Sequence, residues 1–136
     1  MEKFGYRTHI ILLCILFIFI QCDPWDSRMK IANNSNSTVY FNYSFAFPDT
    51  TLRLEDNPVT SDDFYRIQSG ETVTNPIMGR WESKFDIYDT LMIFIFDETT
   101  LKNVPWDTIM KNYMILKRYD LSLEDLVRMD WRVTYP

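Results

Sequence analysis

Residues 10–20 form one unbroken apolar run, eleven side chains with no polar face, and the chain turns polar and helix-breaking directly afterwards at Gln21, Cys22, Asp23 and Pro24. A helix that spans a bilayer needs about 20 apolar residues. Eleven is too few, and Lys3 and Arg7 place positive charge just upstream, so residues 1–21 read as a signal peptide. A buried core helix is the other reading of such a run, but the missing polar face and the basic flank argue against it.

Past this segment the apolar period shortens to two. Residues 29–32 read as a short strand and Asn33-Asn34-Ser35-Asn36-Ser37 as a turn cluster. Residues 38–47 then alternate, with Val39, Phe41, Tyr43, Phe45 and Phe47 on one face, so the two strands together predict a hairpin. Residues 48–58 read as a loop, 64–68 and 71–77 as strands around the Ser69-Gly70 turn, and 81–85 as a short helical or irregular piece. Residues 90–96 differ. Leu91, Ile93 and Ile95 alternate with Met92, Phe94 and Phe96, so both faces are apolar, the mark of a central strand covered on both sides.

Two helices are expected to supply the cover on one side. The first is 105–113, with Pro105 in its first turn, and the second is 123–129. Before the second, Ser122 is followed three residues later by Asp125, which resembles a capping box, and Leu121 and Leu126 occupy the positions of a hydrophobic staple. Strands at 114–120 and 131–135 complete the chain. The alternation of strands and helices here is compatible with a parallel sheet, but the connection around Tyr113 and Met114 is too short for full βαβ units. The expected fold class is α+β and β-rich: a mainly antiparallel sheet or sandwich with two short helices in the C-terminal half.

Cys22 follows the apolar run where a lipoprotein signal peptide would end, and the polar Asp23-Pro24-Trp25-Asp26-Ser27 can serve as a tether. A typical lipoprotein box has Leu three residues before the cysteine and a small residue just before it, whereas Phe19 and Gln21 stand there. Ordinary signal-peptidase cleavage with a free Cys22 thiol, or an uncleaved anchor, therefore remain alternatives. The expected organisation is a signal peptide at 1–21, a lipid-anchored leash at 22–28 and a single β-rich domain at 29–136. Such a protein would be exported and membrane-anchored at the cell envelope, on the periplasmic face or at the cell surface. Of 136 residues, removing 21 leaves 115, enough for one core without disulfides, since Cys14 leaves with the signal peptide and Cys22 would carry lipid. The 115 residues hold 12 basic against 18 acidic side chains, a net charge of −6. That balance argues against a nucleic-acid partner, for there is no basic patch to release counterions.

The segments Asp89-Thr90-Leu91-Met92-Ile93-Phe94-Ile95-Phe96-Asp97, Pro105-Trp106-Asp107-Thr108, Lys117-Arg118-Tyr119-Asp120-Leu121-Ser122-Leu123-Glu124-Asp125-Leu126 and the closing Trp131-Arg132-Val133-Thr134-Tyr135-Pro136 resemble small lipoproteins of Bacteroidota that have no assigned activity. The resemblance implies an envelope lipoprotein with a loosely matched lipoprotein box, and it brings no catalytic residue with it. It also marks Thr108, Thr90 and Thr50 as candidate O-glycosylation sites, because Asp107-Thr108-Ile109, Asp89-Thr90-Leu91 and Asp49-Thr50-Thr51 resemble the Asp-Thr-apolar sites modified in exported proteins of that phylum.

Candidate chemistry is narrowed by what the chain lacks. The single histidine, His9, lies in the signal peptide, so Ser-His-Asp or Cys-His catalysis and His-ligated metal sites are not expected. The remaining titratable candidates are carboxylates: the doublets Asp62-Asp63, Asp97-Glu98 and Glu124-Asp125, and the singles Glu82, Asp86, Asp89 and Asp107. Adjacent acids point to opposite faces of a strand or about 100 degrees apart on a helix, so a doublet reads as a solvated edge before it reads as an acid/base pair. No calcium-loop pattern is present, and an Asp97-Glu98 turn offers too few oxygens. No cofactor is implied.

Among the aromatics, Phe41, Phe45, Phe94, Phe96 and Trp131 sit at strand spacing and read as core. Trp25, Trp81 and Trp106 fall in tether, loop and helix-start positions, which makes Trp81 and Trp106 the candidate ligand-contact rings. Asn33, Asn36 and Asn42 each begin an N-x-[ST] sequon, expected here to be turn and strand polars. The reading that results is a non-catalytic binding or assembly component of the envelope with a membrane partner through its lipid anchor and an envelope protein or glycan partner. Its alternatives are a glycan-binding module and a carboxylate-dependent glycoside hydrolase.

Overall fold

The doubly apolar segment becomes the centre of the molecule. In the computed structural model, which describes residues 24–49, 52, 54, 57–60 and 65–136, the strand Leu91–Asp97 has its first six residues buried. In chain order the strands are β1 (Trp25–Asp26), β2 (Lys30–Asn33), β3 (Val39–Ser44), β4 (Arg66–Ile67), β5 (Thr72–Thr74), β6 (Ile77–Met78), β7 (Leu91–Asp97), β8 (Lys117–Leu121) and β9 (Arg132–Tyr135). Four short helices accompany them among the described residues: α1 (Trp81–Phe85), α2 (Glu98–Asn103), α3 (Trp106–Lys111) and α4 (Leu123–Arg128). The fold is α+β and β-rich, with its helices concentrated in the C-terminal half.

Strand β7 lies inside an antiparallel sheet of order β4-β3-β7-β8. Its odd residues Leu91, Ile93 and Ile95 join Val39, Phe41, Ile67 and Leu121 on one face. That face packs on Ile31 and Val133 of a second sheet, ordered β5-β2-β9, and on Trp81 and Leu126 from α1 and α4. The even residues Met92, Phe94 and Phe96 join Tyr40 on the opposite face, where Leu52, Leu54, Leu101 of α2 and Ile109 of α3 cover them. A strand sealed on both sides can carry no polar side chain without cost, which is why this segment alone lacks alternation.

Three expectations are corrected here. Strands β2 and β3 form no hairpin: β2 pairs antiparallel with β5 and parallel with β9, while β3 pairs with β4 and β7 in the other sheet. The Asn33 to Ser37 turn is instead a crossover between sheets. It is pinned by the buried Asn33 amide, whose Nδ2 donates to Ser37 O at 2.7 Å and Ile67 O at 3.0 Å while Oδ1 accepts from Ser35 N and Oγ. The two expected helices do not share a side, since α3 packs on the even face of β7 and α4 on the odd face. Finally, Asp97-Glu98 is no simple turn: Asp97 Oδ2 accepts from Thr100 N at 2.8 Å and caps α2.

Other local signals match closely. Ser122 Oγ accepts from Asp125 N at 3.1 Å, and Asp125 Oδ2 accepts from Ser122 N at 3.0 Å, a complete capping box. Leu121 and Leu126 meet in the same buried cluster. Pro105 stands just outside α3, its carbonyl accepting from Thr108 N and Ile109 N. No described helix is long and apolar enough to cross a membrane.

Candidate functional site

A concavity of about 710 Å³ opens where the chain enters the domain and is lined by Trp25, Asp26, Arg28, Lys30, Arg80 and Trp131, among others. Its organising element is β1, a two-residue strand that pairs antiparallel with β6. Alternation turns Asp26 inward, opposite the buried Ile77, and leaves its side chain 8% exposed. Residues 24–28 are thus part of the folded domain, which corrects the expectation of a leash reaching to residue 28. Residues 22 and 23 lie outside the described residues.

Arg28 holds the floor of this groove together. Its guanidinium donates to Asp26 Oδ1 through Nε at 3.0 Å and to Asp26 Oδ2 through Nη2 at 2.6 Å. On its other edge it donates to Glu82 Oε1 at 2.8 Å and Oε2 at 2.6 Å. The planar fork of arginine suits two such bidentate contacts, which a lysine could not make. The same guanidinium lies over the Trp131 ring, 4.2 Å from its centroid, a cation–π contact. Asp26 Oδ2 also accepts from Trp81 N at 3.1 Å. This carboxylate therefore does from a distance what Arg80, the N-cap residue of α1, does not do with its own side chain.

The electrostatics follow from this geometry. The bond from Arg28 holds the Asp26 carboxyl at about 2, below its ordinary 3.8, and the same guanidinium lowers Glu82. Asp26 and Glu82 are two acids gripped by one arginine, and a glycosidase also works with a pair of carboxyl groups. The general acid of such an enzyme needs a raised pKa, and both carboxyls are pushed the other way.

Trp131 completes the wall under backbone strain. Asp130 and Trp131 have φ of 51 and 58 degrees, in the left-handed region that bulky residues seldom occupy. They close α4 in a Schellman-type turn, with Asp130 N donating to Val127 O and Trp131 N to Leu126 O. Burial of the ring and the Arg28 contact hold it there.

The candidate residues named from sequence do not converge on this groove. Trp81 is fully buried, in tilted or edge contact with Tyr43, Phe45 and Trp131, and this corrects its reading as an exposed ligand-contact ring. Trp106 is half-buried against Phe96 on the opposite face of the sheet, with Nε1 buried and without a partner among the described residues. Thr108 is exposed in the first turn of α3, Thr90 is half-buried just before β7, and Thr50 and Cys22 lie outside the described residues. The Asn33 sequon is buried and the Asn36 sequon exposed.

Three of the described doublet acids have structural partners. Asp97 and Asp125 cap helices, and Glu98 pairs with Lys102 at 2.9 Å and Arg66 at 3.3 Å. Asp62 and Asp63 fall outside the described residues. No group of three or more potential ligands among the described residues could hold a metal ion. Sequence reasoning missed Arg28; its one legible signal was the Asp26-x-Arg28 spacing, which sets both side chains on one side of an extended chain. Comparison with protein-family models, curated proteins and solved structures finds no match to this chain.

Proposed function

We propose that this protein is exported, anchored to a cell-envelope membrane through Cys22, and acts as a non-catalytic binding or assembly component. One observation carries the reading: the acids at the groove are tied into structural bonds, Asp26 and Glu82 by Arg28, and Asp97 is taken up as the N-cap of α2. Exposed large apolar side chains are present, by contrast, and two of them, Trp25 and Met78, stand directly opposite each other in the β1/β6 ribbon, as a contact surface would use. The signal-peptide pattern and the resemblance to small Bacteroidota lipoproteins support export and anchoring. A glycan-binding role is less favoured, because Trp81 is core and Arg28 covers the Trp131 ring.

The test is fractionation of cells fed a fatty-acid analogue. The parent is expected in the detergent phase carrying label, and the Cys22→Ser variant in the soluble phase without it. Unchanged partitioning would remove the anchor. Hydrolysis of a glycan substrate that disappears in Glu82→Gln or Asp97→Asn would remove the non-catalytic reading.

A further inference from the structure

We infer that the outward face of the β1/β6 ribbon is the surface by which this protein lies on its membrane, with Trp25 and Met78 seated in the lipid interface. In the ribbon Trp25 stands directly opposite Met78, and Asp26 opposite Ile77. Directly opposed residues share a face. Ile77, 6% exposed, belongs to the core, so the other pair points outward, and Trp25 is 49% and Met78 68% exposed. Two large apolar side chains are thus held together on a rigid antiparallel pair.

The position of the ribbon in the chain selects its occupant. Cys22 precedes Trp25 by three residues, so their Cα atoms can be at most about 11 Å apart, whatever path the chain takes. With an acyl group on Cys22, an assumption that rests on the proposed anchoring, the ribbon stays within headgroup distance of the bilayer. Tryptophan is favoured at that depth, with its ring among the lipids and its N–H toward water. Lys30 and Arg80 flank the ribbon with exposed side chains long enough to lie along the interface. Charge attraction is not the driver: Arg28, Lys30 and Arg80 are matched by Asp26, Glu82 and Asp130, and the chain carries a net −5. The contact should therefore form on zwitterionic lipid and survive salt.

The experiment uses full-length protein expressed in cells and purified in detergent from their membranes. Its acylation is read by intact mass, and it is reconstituted into phosphatidylcholine vesicles with brominated acyl chains, which quench nearby indoles. Quenching of part of the tryptophan emission is expected, with no loss in 0.5 M salt. Trp25→Phe, which keeps an apolar ring in the ribbon, should remove most of that quenching, and Met78→Asp should lower it at least twofold at unchanged acylation. Acylated protein whose quenching is absent, or is the same in Trp25→Phe, overturns the inference while the anchor stands. Protein without an acyl group refutes the anchor, and the membrane face is then upheld if Trp25 is still quenched and overturned if it is not. Crosslinking from position 25 to a second copy or to another protein, in place of lipid, also overturns it.

Discussion

The Asp26 carboxylate accepts the backbone N–H of Trp81 at 3.1 Å across a separation of 55 residues, while Arg28 grips the same carboxylate from the other side. One side chain thereby ties the entry of the chain to the start of α1. Titration of this group links that tie to pH.

Asp26 titrates at about 2 in the folded protein against an ordinary 3.8, so its stabilisation is complete above about pH 5 and is lost as pH falls through 4 toward 2. Glu82 and Glu98 are lowered for the same kind of reason and add to the same acid limb. Full conversion of the Asp26 shift would exceed 2 kcal/mol, but the Arg28 side chain is 41% exposed, and screening reduces the expected contribution to about 1–2 kcal/mol. Asp26→Asn should lose that amount at pH 7 and converge with the parent near pH 2, measured by urea unfolding at several pH values. Parallel pH profiles for the two proteins would refute it.

Ser122→Ala should cost about 1 kcal/mol, since it removes the hydroxyl that accepts from Asp125 N and leaves that donor at the start of α4 without its cap. For a domain of this size the thermal midpoint should fall by about 4 °C. A midpoint within error of the parent would show that the cap adds nothing to the helix in its packed setting.

Signals confined to a few neighbouring residues were legible in the sequence. The capping box at Ser122 and Asp125 and the two-faced strand around Ile93 are written locally, and both were readable. Pairing was not. Strand β2 joins β9 in parallel with Ile31 opposite Val133, and two four-residue strands so far apart carry no mark of their partner. The five-residue α1 was legible only as a short helical or irregular piece at 81–85, with nothing to mark Trp81 as buried, and the six-residue α2 is too short for a helical period to show, so Asp97 looked like a turn. The groove was hidden for the same reason: Asp26 and Arg28 are near neighbours, but Glu82 and Trp131 reach them only through the tertiary fold.

Asn33 shows how much one crossover residue can carry. Its side chain satisfies Ile67 O and Ser37 O and accepts twice from Ser35, while its backbone N–H donates to Glu71 O at 2.9 Å. Asn33→Ala would leave the buried Ile67 carbonyl short of a donor and release the turn, at a cost of about 2–3 kcal/mol. Asn33→Asp should be worse at pH 7, because a carboxylate would face two carbonyl oxygens. Chemical denaturation of the two variants tests the order, and Asn33→Asp as stable as Asn33→Ala would contradict it.

Trp81 separates a folding residue from a binding one. Its ring fills the space between Tyr43 and Phe45 of the first sheet's edge region and Trp131 of the groove wall, and it has no exposed area. Trp81→Ala should therefore cost about 3–5 kcal/mol through the cavity it leaves. Its buried Nε1 has no partner among the described residues, so Trp81→Phe loses volume but strands no polar group, and it should cost clearly less than the alanine variant. The loss should also reach the groove, since Trp131 rests on Trp81 and Arg28 on Trp131. The acid limb of the stability curve should then shift toward higher pH in Trp81→Ala, as Arg28 loosens its hold on Asp26. Thermal melts from pH 2 to 7 read both effects at once. A Trp81→Ala protein as stable as the parent, but deficient in a partner contact, would return Trp81 to the surface role its place in the sequence had suggested.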